Sequence, residues 1–230
     1  MTTEFTLLYR WHSLAPQRMK WRETEYQLAA LRLNNRPLLD SGLADAFVEQ
    51  SAQPAAELGL GNAAEDFRPI EENGIRQGRE NKIQGYAAYR RAMKLKVPRS
   101  FEELVGSSSD PGEKERRQRL ARELERLYGR VDKLEYYPGL FAEPRAKNGP
   151  LPELVTAMVA MDAFSQALTN PLLSKHVFGN RDNSLATFTA EGLEAINKTN
   201  TLRDVLARNV EPLRLKDQFV GMTRPDWKRS

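Results

Sequence analysis

Phe5-Thr6-Leu7-Leu8-Tyr9-Arg10-Trp11-His12 places one of the protein's two histidines three positions after a tyrosine, inside an otherwise apolar and aromatic run. Residues three apart sit about one turn from each other if the run is helical. An imidazole in such a setting can hold a haem iron, and a phenol one turn away can pass an electron to that group and become a radical. The same eight residues also suit a packed core whose histidine is simply hydrogen-bonded. The peptide alone leaves both readings open.

Composition narrows the chemistry. A chain of 230 residues suits one large domain or two small ones, and can bury about 70 % of its unfolded surface. There is no cysteine, which excludes disulfides, thiolate catalysis, iron–sulfur clusters and cysteine-ligated zinc. The second histidine, His176, lies far along the chain in a loop-like context, so a histidine-rich metal site is not expected. Haem needs a single protein ligand and survives this filter. Met1-Thr2-Thr3-Glu4 is not a basic segment leading into an apolar run, and no stretch reaches the roughly eighteen apolar residues of a membrane span. A cytoplasmic protein is expected. The net charge of +4 would suit an acidic partner, but 35 basic residues alternate with 31 acidic ones. In Glu113 to Arg126 both signs recur at helical spacing, the mark of a solvated helix with i,i+4 pairs. Nucleic acid is not expected as a partner.

The readable segments are helical. The pattern predicts helices over Glu23 to Leu33, Asp40 to Ala52 (with Asp40 or Ser41 as N-cap), Ile83 to Met93, Glu113 to Tyr128 and Leu151 to Leu168. Ser100-Phe101-Glu102-Glu103 reads as a capping box. Gly106 to Gly112 and Glu143 to Pro150 read as loops. Leu151 to Leu168 is apolar almost all round, which argues for burial or for lining a greasy cavity. No strand pattern stands out, and the expected fold is mainly α. Val210 to Ser230, with two prolines and several basic residues, reads as a surface-wrapping tail.

In this order the segments resemble the C-terminal half of the cyclooxygenase-like haem dioxygenases, within the animal-type haem peroxidase superfamily. Tyr9-Arg10-Trp11-His12 is similar to that family's proximal-histidine motif. The likeness continues collinearly through Ile75-Arg76-Gln77-Gly78-Arg79, Ile83-Gln84-Gly85-Tyr86, Tyr89-Arg90-Arg91, Ser100-Phe101-Glu102-Glu103-Leu104, Leu127-Tyr128-Gly129, Val131 to Pro138 and Ala163-Phe164-Ser165. It implies a proximal-side helical part over residues 1–205, with 206–230 as a C-terminal extension.

The resemblance assigns roles by position. His12 is expected to be the axial ligand of haem b, and Tyr9 the hydrogen-abstracting radical. Tyr137 is expected to hydrogen-bond toward the histidine, directly or through water. Phe5, Phe164, Ser165 and Leu168 are expected to line a fatty-acid channel, and Arg76 and Arg79 are candidates either for partners of the haem propionates or for structural ion pairs. The implied activity is oxygenation of an unsaturated fatty acid with O2 after activation by hydroperoxide, and peripheral membrane contact is compatible with such a substrate. The alternatives are a haem peroxidase acting on small reductants, in which Tyr9 is incidental, and a non-catalytic helical interaction module.

One departure matters. The family's distal histidine, its partner residue and the preceding helices find no counterpart here. Distal groups move the proton that lets a peroxide O–O bond break. The expectation is therefore a fragment, or one half of a split enzyme completed by an N-terminal half or a partner chain. The Phe5 to Trp11 run and the Leu151 to Leu168 helix are then expected to present apolar surface.

Overall fold

A computed structural model describes residues 2–146, 149–178 and 180–222. The described chain is helical apart from one short hairpin, and it divides into two compact units. Among the described residues, the first comprises 2–17 and 55–161, the second 18–54 and 162–222.

The core of the first unit gathers around the helix Tyr136–Ala142, every residue of which is buried. Pro138 is tolerated there because it falls in the first turn, where a missing N–H costs nothing. Gly139 lies against the ring of Tyr86, and a Cβ at 139 would come within 2.5 Å of that ring. Leu7, Leu8, Leu134, Leu140 and Leu154 are fully buried around this helix, each contributing about 1.5–3 kcal/mol by leaving water. The helix Arg68–Glu80 is polar over most of its surface and packs against Thr3–Leu8 and Tyr136–Ala142.

A buried polar network ties this core together. Arg90 and Glu143 have side chains 6 % and 5 % exposed and pair at 2.5 Å. Glu143 also accepts from the Tyr86 hydroxyl at 2.5 Å and from the Leu154 amide at 3.0 Å. Arg90 in addition binds Glu153. Burial, and then the neighbouring Glu143 carboxylate, push the Tyr86 phenol far above its ordinary range, so it acts only as a donor here.

Local signals were mostly followed. Ser100 accepts from the Glu103 amide and starts Phe101–Val105. The Glu103 carboxylate does not return to Ser100, however; it takes the Arg99 amide and pairs with Lys96. The charged helix begins at Pro111, two residues before the expected start, because Asp110 caps it and proline is favoured at the first helical positions. The apolar helix runs Glu153–Thr169 and changes character along its length. Leu154, Val155 and Met158 are buried, whereas Met161, Phe164 and Leu168 are exposed. Burial along the whole helix is thus not what forms, and the exposed portion agrees with the expectation of uncovered apolar surface. The Phe5 to Trp11 run differs: Leu7 and Leu8 are fully buried and Phe5 and Trp11 pack against the core, so of its large rings only Tyr9 counts as exposed.

The second unit corrects the helix predicted over Glu23 to Leu33. Arg18–Trp21 pairs antiparallel with Thr24–Gln27, Met19 facing Tyr26 and Lys20 facing Glu25, and only Leu28–Leu31 is helical. Arg22 carries the turn at φ +53°, a conformation usually left to glycine or asparagine. Its amide donates to Glu49 and its guanidinium to the Asp40 carbonyl, which hold it there. The expected helix over Asp40 to Ala52 is broken at Gly42 (φ +79°) into Arg36–Ser41 and Leu43–Ser51. Neither Asp40 nor Ser41 caps it. The Ser41 hydroxyl instead donates to the Pro37 carbonyl and accepts from the Trp21 indole. Ala44, Leu206, Leu215 and Val220 form this unit's own small core, so Leu215 and Val220 of the expected surface tail are buried while Leu213 is exposed; 223–230 lie outside the described residues. Among the described residues, no helix is long and apolar enough to cross a membrane.

Candidate functional site

The helix Thr3–Leu8 stops one residue before Tyr9, and His12 opens a separate 3-10 turn, His12–Leu14. Tyr9 and His12 are therefore not one turn apart on a continuous helix. The helix ends between them in a local turn, the Trp11 amide donating to the Tyr9 carbonyl and its indole to the Leu8 carbonyl at 2.8 Å. The Tyr9 ring, 40 % exposed, lies 5.7 Å from that of Trp11 and 6.5 Å from that of Phe5. The His12 ring turns instead toward Phe67, at 5.1 Å.

His12 is anchored by a carboxylate that sequence reading did not single out. Its Nδ1 lies 2.6 Å from Oε1 of Glu71, and the two side chains are each 26 % exposed. The other oxygen of the same carboxylate accepts from the Tyr137 hydroxyl at 2.7 Å. The expected link from Tyr137 toward His12 thus runs through Glu71. Burial, and then the bond to Glu71, push the Tyr137 phenol well above its ordinary range, so it keeps its proton and donates.

Three further features build this arrangement. Glu71 lies in the first turn of Arg68–Glu80, where the exposed amides of a helix N-terminus favour negative charge. Arg10 reaches the same helix, donating to Gln77 at 2.6 Å and to the Ile70 carbonyl at 3.3 Å. Gly74, one turn beyond Glu71, leaves room for Tyr137, since a Cβ there would lie 2.8 Å from Tyr137 Cε1 and 3.1 Å from an Arg10 nitrogen.

The donor chemistry fits haem. With Nδ1 committed to Glu71, the remaining nitrogen, Nε2, has no hydrogen-bond partner among the described residues. An imidazole tied at one nitrogen and open at the other is what an axial ligand requires. No cluster of three or more His, Asp or Glu suited to a bare metal ion occurs among the described residues, and haem asks for none.

The other expected residues lie elsewhere. Arg79 pairs through two nitrogens with Glu135, whose other donor is Tyr128, and Arg76 is exposed. Phe164, Ser165 and Leu168 fall in the second unit, all three exposed. His176 sits in the short helix Lys175–Phe178, against Asn183. Glu71 carried no local signal: it belongs to one of 31 acidic residues and meets His12 across 59 positions.

Comparison with known proteins identifies relatives of the chain. Prostaglandin G/H synthase 1 of Rattus norvegicus is 36% identical over 229 residues, covering 97% of this chain and 34% of that protein. Prostaglandin G/H synthase 2 of Equus caballus is 33% identical over 214 residues, covering 92% and 33%. The chain thus spans about a third of the length of the curated relatives it matches. Among solved structures, the fatty acid alpha-dioxygenase of Oryza sativa superposes with a TM-score of 0.77 at 21% identity, over 99% of this chain and 41% of that one. The alpha-dioxygenase of Arabidopsis thaliana gives 0.73 at 20%, over 99% and 39%. These establish likeness of fold, the helical fold of animal peroxidases. The sequence description of the animal haem peroxidase family matches residues 1–219, and the chain belongs to that family.

Proposed function

We propose that this chain is the proximal side of a haem-dependent fatty-acid dioxygenase, with His12 as axial ligand of haem b through Nε2. The observation that carries the proposal is the ring of His12, fixed at Nδ1 by Glu71 and open at Nε2, in a chain that belongs to the animal haem peroxidase family. Haem, when bound, supplies a one-electron oxidant for a nearby phenol. The remaining work falls to this chain's residues. Glu71 and Tyr137 orient the imidazole. Tyr9 gives up its phenolic hydrogen, and its oxygen then takes a hydrogen atom from an activated carbon of an unsaturated fatty acid. Dioxygen adds to the carbon radical, and the resulting peroxyl recovers hydrogen from Tyr9, which restores the tyrosyl radical. The protein's contribution is positional, holding the phenol against the reacting carbon and keeping water and quenchers away. The distal groups that handle hydroperoxide would come from outside these 230 residues.

The test is oxygen uptake with linoleate by the haem-loaded chain completed by a part that supplies the distal groups, compared with oxidation of a phenolic donor. Uptake that vanishes in Tyr9→Phe while haem absorbance persists is expected. Oxygenation retained in Tyr9→Phe contradicts the radical assignment, and phenol oxidation without linoleate uptake favours the small-reductant peroxidase.

A further inference from the structure

We infer that Glu71 is a positioning residue that fixes His12 in the tautomer bearing hydrogen on Nδ1, keeps the Nε2 lone pair open, and makes the imidazole a more electron-rich ligand. The inference rests on the axial role proposed for His12. Which nitrogen carries hydrogen follows from the contacts. The Tyr137 hydroxyl retains its proton and spends it on Oε2 of Glu71. A carboxylate offers only acceptors, so the ring nitrogen 2.6 Å from Oε1 must be the donor. The assignment is made by the network. One oxygen serves each ring, and neither hydrogen bond has a competing acceptor among the described residues.

The arrangement is built from three separate pieces of chain. The 3-10 turn at His12 supplies the ring, the first turn of Arg68–Glu80 supplies the carboxylate, and the buried helix Tyr136–Ala142 supplies the phenol. Gly74 admits the phenol ring, and Arg10 ties down the same helix through Gln77 and the Ile70 carbonyl. A surface ion pair needs none of this support. A carboxylate that accepts from the distant nitrogen of a metal-bound imidazole raises ligand basicity and stabilises the more highly charged metal. The consequence is a lowered ferric/ferrous potential.

Two readouts on the full chain test this. Long-range proton–nitrogen NMR of His12, in neutral form and without haem, reads the tautomer. Hydrogen on Nδ1 is expected in the wild type, with a shift toward Nε2 in Glu71→Leu. In haem-loaded protein the ferric/ferrous potential is expected to rise in the isosteric Glu71→Gln, to rise less in Tyr137→Phe, and to return toward wild type in Glu71→Asp. Unchanged melting of Glu71→Gln would separate these effects from misfolding, and the tautomer of the wild type needs no variant at all. Hydrogen on Nε2 of wild-type His12, or a potential indifferent to Glu71→Gln, overturns the inference. A wild-type chain that takes up no haem sinks the axial reading and overturns the ligand-tuning part with it, leaving NMR to decide the tautomer.

Discussion

Gly74 and Tyr137 occupy one space between them: the tyrosine ring lies where any larger side chain on residue 74 would have to go. A Cβ on residue 74 would sit 2.8 Å from Cε1 and 3.0 Å from Cζ of a ring that is itself buried. Two effects oppose each other in Gly74→Ala. Alanine gains up to about 1 kcal/mol in a helix interior, whereas forcing atoms into a packed core costs about 1–3 kcal/mol. Overlap wins because neither the helix backbone nor the ring can retreat freely. The variant should lose about 1–2 kcal/mol in urea unfolding. Gly78→Ala is the control in the same helix. Its Cβ would meet the flexible end of Ile83 at 3.3 Å, so it should be neutral or stabilising. Equal effects at 74 and 78 would contradict the packing account.

The Arg90–Glu143 pair makes a second prediction. Removing one partner of a buried pair leaves the other charge uncompensated, at a cost of about 3–5 kcal/mol. In Glu143→Ala the guanidinium keeps Glu153, which is largely exposed, while Tyr86 and the Leu154 amide lose their acceptor. The loss should therefore fall near the lower end, about 3 kcal/mol, measured as a shift in the urea midpoint. A change within about 0.5 kcal/mol, the usual range for surface sites, would show the network to be dispensable.

The acid limb of stability should depend on Glu113. Hydrogen bonding from Arg116, followed by that from Arg117, outweighs partial burial and lowers its carboxyl from 4.5 to about 2. A carboxyl depressed on folding contributes stability that is present above its unfolded value and lost as pH falls through the folded one. The difference in unfolding free energy between wild type and Glu113→Gln should thus be full above about pH 4.5 and shrink toward pH 2. A difference that stays constant over this window would contradict the assignment.

Much of the helical plan was legible because it is written locally. Ser100 with Glu103, the charge spacing over 113 to 128 and the apolar run over 151 to 168 each carry their own signal within one or two turns. The hairpin over 18 to 27 was not legible. Its strands are four residues long and mostly exposed, and its turn holds an arginine where glycine would have announced it. At the site, His12, Tyr9 and Tyr137 could be singled out from the resemblance. Glu71 could not, since its meaning lies in contacts 59 and 66 positions away. The break after Leu8, which separates Tyr9 from His12, goes with a local contact, the Trp11 indole taking the Leu8 carbonyl three positions back, a turn that the helical spacing of the run does not announce.

The central claim is that Nε2 of His12 binds haem iron, and cavity complementation tests it most directly. Haemin titrated into the wild-type chain should give a bound Soret band. His12→Gly should lose that band and regain it when free imidazole is added, because the small ligand fills the place of the missing ring. A Soret band of the same position and intensity in His12→Gly without imidazole would contradict the account.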